Sequence, residues 1–331
     1  MKKIINNPEN VVNEMLEGMV KAHPDFIERV EGFNVLIRKE KNNRKVALVS
    51  GGGSGHEPSH GGFVGYGMLD GAIAGDVFTS PTPDQVFEAI KNVDCGKGVL
   101  LIIKNYTGDV MNFQMAAELA DMENIKVESV VMNDDVAVEN STYTTGRRGI
   151  AGTIFLHKIA GAAAERGMEL KEVKRIAEKV ISNVRSMGMS LTPCTVPAAG
   201  KPGFELGENE IEVGLGIHGE PGTHKDKIMP AKDIVKHLME KILNDYSVSK
   251  DEEVAVLING LGGTPLMELY IINDEVNSIL GNKDINIVKT YVGNYMTSLE
   301  MAGFSISILK LDDELKELLG DKANTLAFKQ F

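Results

Sequence analysis

Two glycine-rich segments, each carrying a histidine, and one lysine–aspartate pair are the residues of this chain best suited to chemistry. The first segment is Ser50-Gly51-Gly52-Gly53-Ser54-Gly55-His56-Glu57-Pro58-Ser59-His60. Glycine reaches dihedrals closed to other residues and lets main-chain N–H groups approach a ligand. Histidine moves protons near neutral pH. Two readings of His56 stand at this point: a group held beside a small polar substrate, or a cap for the next helix. The second segment is Gly214-Leu215-Gly216-Ile217-His218-Gly219-Glu220-Pro221-Gly222. A histidine between glycines just after a strand is an unusual core residue, so His218 either turns a loop or is displayed for use. The pair is Lys104 and Asp109, in Lys104-Asn105-Tyr106-Thr107-Gly108-Asp109. They can bracket a substrate as cation and base. Alternatively Lys104 lays its stem along apolar surface and Asp109 caps a helix. His23, His157, His224 and His237 have ordinary contexts and read as structural.

Three familiar motifs nearly fit the first segment and fail. A P-loop needs a lysine after its last glycine, and none occurs between Lys45 and Lys91. The dinucleotide fingerprint Gly-x-Gly-x-x-Gly meets His56 or Pro58 where its third glycine belongs. His56-Glu57-Pro58-Ser59-His60 satisfies His-Glu-x-x-His, a zinc motif that works only when both histidines share a helix face. Proline is tolerated in a first helical turn and not deeper, which leaves His56 outside any such helix. No metal site is expected.

The elements that must position these residues follow from periodicity. Residues 45–49 read as a buried strand running into a glycine turn. Further strands are expected at 72–77, 99–104 and 126–132, with a helix at 113–122 between the last two. That βαβ pattern implies a parallel sheet. A first helix is expected at 7–21 and two long ones at 153–165 and 170–187. A Pro/Gly-rich stretch at 190–207 is the natural domain connection. Beyond it the pattern predicts strands at 211–215, 254–258, 285–289 and 305–309, with helices at 231–243 and from Leu266. Asn259-Gly260-Leu261-Gly262-Gly263-Thr264-Pro265 repeats the strand–glycine turn–helix device. The expected fold is two α/β domains, residues 1–188 and 189–331, each a mainly parallel or mixed sheet flanked by helices. In such folds, ligands gather at strand ends.

Composition narrows the classes. The chain has 331 residues, 43% hydrophobic and 25% charged, a globular profile. Its 35 basic and 47 acidic residues give a net charge of −12, which argues against nucleic acid. Cys95 and Cys194 have no metal-type spacing, and a reduced cytoplasmic setting fits best. No segment has the apolar length of a signal peptide core or a membrane span.

Gly51–Pro58, Lys104–Asp109, Gly146-Arg147-Arg148-Gly149 and Gly216–Gly222, in that order, together resemble the dihydroxyacetone kinase family. The similarity is to its dihydroxyacetone-binding subunit and runs along the whole chain. It implies a homodimer that holds dihydroxyacetone covalently, a histidine nitrogen adding to the ketone carbon to give a hemiaminal. By motif position that histidine is His218. Gly53, Ser54, Gly55, His56, Lys104 and Asp109 would line the same pocket, with His56 and Asp109 serving the attacking hydroxyl. The resemblance further implies that no nucleotide is bound by this chain. Mg-ADP or Mg-ATP would sit on a partner subunit, recharged by a phosphoenolpyruvate-dependent phosphotransferase chain. The rival reading is a dihydroxyacetone-binding coactivator of a transcription regulator, which would need the covalent histidine but not the proton-transfer residues.

Overall fold

The computed structural model describes residues 2–42, 44–139, 144–220 and 222–331, so Pro221 of the second glycine segment lies outside the described residues. In chain order the elements are α1 (Val11–Ala22), β1 (Ile27–Arg29), β2 (Val35–Arg38), β3 (Ala47–Ser54), β4 (Gly65–Tyr66), β5 (Gly71–Val77), α2 (Pro83–Val93), β6 (Val99–Lys104), α3 (Thr107–Met122) and β7 (Val127–Met132). Then follow α4 (Thr153–Glu165), α5 (Leu170–Asn183), β8 (Val184–Ser190), β9 (Glu210–Val213), β10 (His224–Lys227), α6 (Ala231–Asp245) and β11 (Glu253–Gly260). The chain ends with α7 (Leu266–Gly281), β12 (Asn286–Gly293), β13 (Gly303–Leu311), α8 (Asp313–Gly320), β14 (Ala323–Thr325) and β15 (Lys329–Gln330). No helix among the described residues is long and apolar enough to cross a membrane.

Two mixed six-stranded sheets carry the fold, ordered β1-β2-β5-β3-β6-β7 and β10-β9-β8-β13-β11-β12. In the first, β5, β3, β6 and β7 run parallel. In the second, only β11 and β12 do. The alternation of side chains along the strands sorts the core into layers. Leu48, Leu100 and Ile102 face inward onto α4 and α5, whereas Val49, Leu101 and Ile103 face outward with the buried residues of α2 and α3. Across the same interior layer, Ala255 and Leu257 of β11 meet that inner core. Val254 and Val256 point away from it, to α6 and α7. Every residue of α4 from Thr153 to Ala164 is buried, as a helix between two sheets must be. α5, with an apolar stripe of Val173, Ile176, Ala177 and Val180, lies at its side.

Several expectations need correction. The helix expected at 170–187 ends at Asn183, because Val184 is extended (φ −113°, ψ 138°) and opens β8. Ile181, Val184 and Met187 keep helical spacing, but residues 184–190 all pair with β13, and Met189 and Ser190 also pair with β9. The boundary expected between 188 and 189 therefore falls inside a strand of the second sheet. The tail also returns to the first half, where β14 pairs with β4. The glycine run is not a turn but the second half of β3, with Gly51 opposite Ile73 and Gly53 opposite Gly75. A Cβ at Gly51 would stand 2.6 Å from Ile73 O, so only glycine lets the strands close there.

Candidate active site

The cleft opens where β3 and β6 end and the loop after β9 folds over them. Gly53, Ser80, Tyr106, Asp109, Asn112 and His218 stand on its wall. Gly53 is required by closeness: a Cβ there would lie 2.5 Å from the main-chain N of Thr79. Ser54 turns away, its hydroxyl donating to Gly75 O at 2.7 Å. Gly55 (φ +103°) donates its N–H to the Glu57 carboxylate at 3.1 Å. Its carbonyl accepts from Leu299 N at 2.8 Å.

His56 is fully buried and caps no helix. Its Nδ1 lies 2.7 Å from Thr297 O. A carbonyl only accepts, so Nδ1 carries the ring proton and Nε2 keeps its lone pair. That Nε2 has no partner. Burial pushes the imidazole well below its ordinary pKa, with the charges of His218 and Lys104 adding to the effect. The second glycine device supplies the support. Asn259, at the end of β11, holds the segment that presents Thr297, accepting from Tyr295 N and Met296 N (both 2.9 Å) and donating to Met296 O at 2.7 Å.

His218 comes from the other side. Its ring meets that of His56 edge-on at 4.7 Å, Tyr106 at 4.4 Å and Phe78 at 5.4 Å. Phe78 in turn stacks on His56 at 5.1 Å. The His218 main-chain N–H donates to Glu220 Oε2 at 2.9 Å, and Glu220 Oε1 is 4.0 Å from Nδ1. Burial, with the charges of Lys104 and Arg148, pushes its pKa down to about 3. Behind the loop, Arg148 is wholly buried. It donates from Nε to Asp135 at 2.8 Å and from a terminal nitrogen to Gly214 O at 2.7 Å, and it lies 3.7 Å from Glu220 Oε1.

α3 begins at Thr107, six residues before the expected start at 113, so Asp109 lies in its first turn and is not its cap. Burial pushes the Asp109 carboxyl up, while Lys104 and Ser80 pull it down. Oδ1 has no hydrogen-bond partner, and Oδ2 is 3.7 Å from Lys104 Nζ. Lys104 does not run along the surface: it is fully buried behind Gly52. His56 and His60 do not converge, since His60 faces Lys104 (3.1 Å) and His157 (3.0 Å). Among the described residues, no three His, Cys, Asp or Glu side chains are placed to hold a metal.

The structure thus joins His56, Asp109 and His218, with Lys104 one layer behind. Sequence reasoning missed Phe78, His60 and His157. Phe78 and His157 carry no local signal at all, and His60 carried only its four-residue spacing from His56. Tyr106, Arg148 and Glu220 lie inside the quoted motifs, but their roles come from packing.

Comparison with known proteins gives the family. The Dak1 domain matches residues 17–327. A curated relative from Listeria innocua, "PTS-dependent dihydroxyacetone kinase 1, dihydroxyacetone-binding subunit DhaK", is 59% identical over 95% of each chain. A crystal structure of the dihydroxyacetone kinase from C. freundii with AMP-PNP and Mg2+ superposes with a TM-score of 0.92 at 36% identity. It is matched over 99% of this chain, which spans 61% of that longer one. The "dihydroxyacetone kinase operon co-activator Dha-DhaQ" superposes with a TM-score of 0.89 at 34% identity, over 96% of this chain and 98% of its own.

Proposed function

This chain belongs to the dihydroxyacetone kinase family through its Dak1 domain, and from that premise we propose that it captures dihydroxyacetone on His218 and presents it for phosphorylation. The observation that carries the reading is a juxtaposition. A neutral His218 and the unpartnered Nε2 of His56 stand ring to ring at 4.7 Å, beside a cleft whose wall holds the unpartnered Oδ1 of Asp109.

The first step is addition to the ketone. Glu220 lies on the Nδ1 side of His218, which favours a proton on Nδ1 and a lone pair on Nε2. That lone pair forms the N–C bond, the carbonyl π pair moves to oxygen, and the oxygen takes a proton as the ring gives up its own. Dihydroxyacetone is tiny, and even the best tiny ligands gain at most about 1.5 kcal/mol per heavy atom. Glycerol offers nearly the same hydroxyl contacts but no carbon to attack, so covalent capture supplies the selectivity. In the second step a terminal hydroxyl of the held substrate attacks phosphorus, and His56 Nε2 or Asp109 takes its proton. The phosphoryl group would come from a nucleotide carried by a partner subunit recharged from a phosphotransferase chain, this chain acting as a homodimer. Transfer then depends mainly on positioning and charge.

Turnover with phosphoryl-donor partners, measured beside a dihydroxyacetone-soaked structure, tests this. Density should run unbroken from a His218 ring nitrogen to C2 of the ligand. His56→Asn and Asp109→Asn should each lower turnover by about 10²–10⁴-fold, the usual worth of a placed proton acceptor, and leave covalent uptake largely intact. A free ligand, or one joined to Lys104, would overturn the His218 assignment. Uptake without turnover in the unmodified chain would make it a coactivator instead.

A further inference from the structure

Lys104 has no face on the cleft wall, and what stands behind it is ordered in a single direction. Its Nζ has three acceptors in reach: Gly51 O at 3.1 Å, His60 Nε2 at 3.1 Å and Asp109 Oδ2 at 3.7 Å. An ammonium only donates, so His60 Nε2 accepts and Nδ1 carries the His60 proton. Nδ1 lies 3.0 Å from His157 Nε2, which must accept in its turn. The His157 proton is then on Nδ1, an atom with no partner. Ser50 Oγ, 3.4 Å from His60 Nδ1, donates its own proton to Ile102 O at 2.7 Å and can only accept from the ring. Each proton is thereby assigned by the one before it. His157 stands on α4 within the apolar interior layer, where a leucine would avoid the unmet N–H. The position serves something other than packing.

The ionisable groups facing Lys104 and Asp109 are His60 from the loop after β3, His157 from α4, and His56 and His218 across the cleft. Burial and the Lys104 charge keep all four imidazoles below their ordinary range. Asp109 is the one carboxylate paired with Lys104 among the described residues.

We propose that His60 and His157 are positioning residues that hold Lys104 as a cation aimed at Asp109, and so keep Asp109 ionised for the proton transfer assigned to it above. Without the His60 acceptor, an N–H of the buried ammonium has no partner, and Lys104 gives up its proton more readily or swings away. Asp109 then loses its counter-charge. A carboxyl that loses a nearby cation holds its proton to higher pH, so the acid limb of turnover moves up.

The test is kcat and KM against pH for the full chain with competent partners, as the unmodified protein and as His60→Leu, His60→Gln and His157→Leu. In His60→Leu the acid limb should rise by about one pH unit or more, with kcat reduced near neutrality and KM little changed. His60→Gln, whose amide oxygen reaches the place of Nε2, should restore the limb. His157→Leu should fall between, because Ser50 Oγ remains as an acceptor for His60. An unmoved limb in His60→Leu, or equal damage in the Leu and Gln variants, would overturn the proposal. The ¹⁵N imidazole spectrum of the unmodified chain gives a readout independent of activity and of any variant's folding. It should show His60 protonated at Nδ1 and bare at Nε2 between pH 5 and 8, and the reverse tautomer would overturn the proposal. If the unmodified chain shows no turnover, the functional reading fails on its own. The decision then passes to the ¹³Cε titration of Lys104, which must shift downward in His60→Leu for the positioning role to stand.

Discussion

The addition proposed for His218 needs the neutral ring, and burial with the charges of Lys104 and Arg148 favours that state. With a pKa pushed down to about 3 by burial and by Lys104 and Arg148, the lone pair is free at every pH well above that value and is lost only as pH falls through it. Covalent uptake of dihydroxyacetone, followed by mass spectrometry or ligand density, should therefore be flat from pH 5 to 8. Turnover should behave differently. Asp109 accepts a proton only when ionised, and burial has raised its carboxyl. The acid limb of turnover should lie above the ordinary aspartate range of about 3.9, in a region where uptake is still complete. Uptake and turnover failing together on acidification would remove Asp109 from the chemical step. At this scale the glycine-flanked histidines His56 and His218 stood out in the sequence, and the fold brings their rings together at 4.7 Å. His157 was unreadable for a different reason: nothing in the local sequence of α4 marks it, and only the fold brings His60 against it.

Among elements, the loop after β9 depends on Arg148. Three carbonyl or carboxylate groups from two segments, Asp135, Gly214 and Glu220, converge on one buried guanidinium. Burial alone would raise the carboxyls of Asp135 and Glu220, and Arg148 pulls both back. Removing one partner of a buried ion network typically costs about 3–5 kcal/mol, since the other charges stay buried. Arg148→Met should lower stability by about that amount in urea titrations and also weaken covalent uptake, because Glu220 no longer holds the His218 main chain. A loss below about 1 kcal/mol would show that the loop stands without the network. Strand and helix existence was legible where a mainly apolar stretch had a distinctive length, six residues at 99–104 and thirteen at 153–165. β8 was misread because its first residues continue the helical spacing of α5. Pairing with β13 from Val184 onward decides the matter.

For the molecule as a whole, the two sheets do not behave as beads on a linker, although the Pro/Gly-rich stretch at 190–207 suggested one. The segment after β12 seals the glycine strand of the first half, with Leu299 N on Gly55 O at 2.8 Å and Thr297 N on His56 O at 3.2 Å. The tail adds a second seam, since β14 pairs with β4 while Phe328 packs 5.1 Å from Tyr291 of β12. Such interlocking predicts one cooperative transition. Deleting residues 322–331 should move that transition to lower urea for both sheets alike, read by amide exchange in β3 and β11; a shift confined to one sheet would show that the halves unfold separately. The interleaving was invisible in the sequence, because no local pattern tells a terminal strand which sheet it will join. His218 rides on a loop of one sheet, His56 and Asp109 on strand and helix ends of the other. If His218 holds the ketone and His56 and Asp109 serve its consumption, as proposed above, the two tasks rest on separate segments, and substitutions in the second set would leave the first in place. On that reading, a chain of this frame that had lost only the second set would still take up the ketone without turning it over.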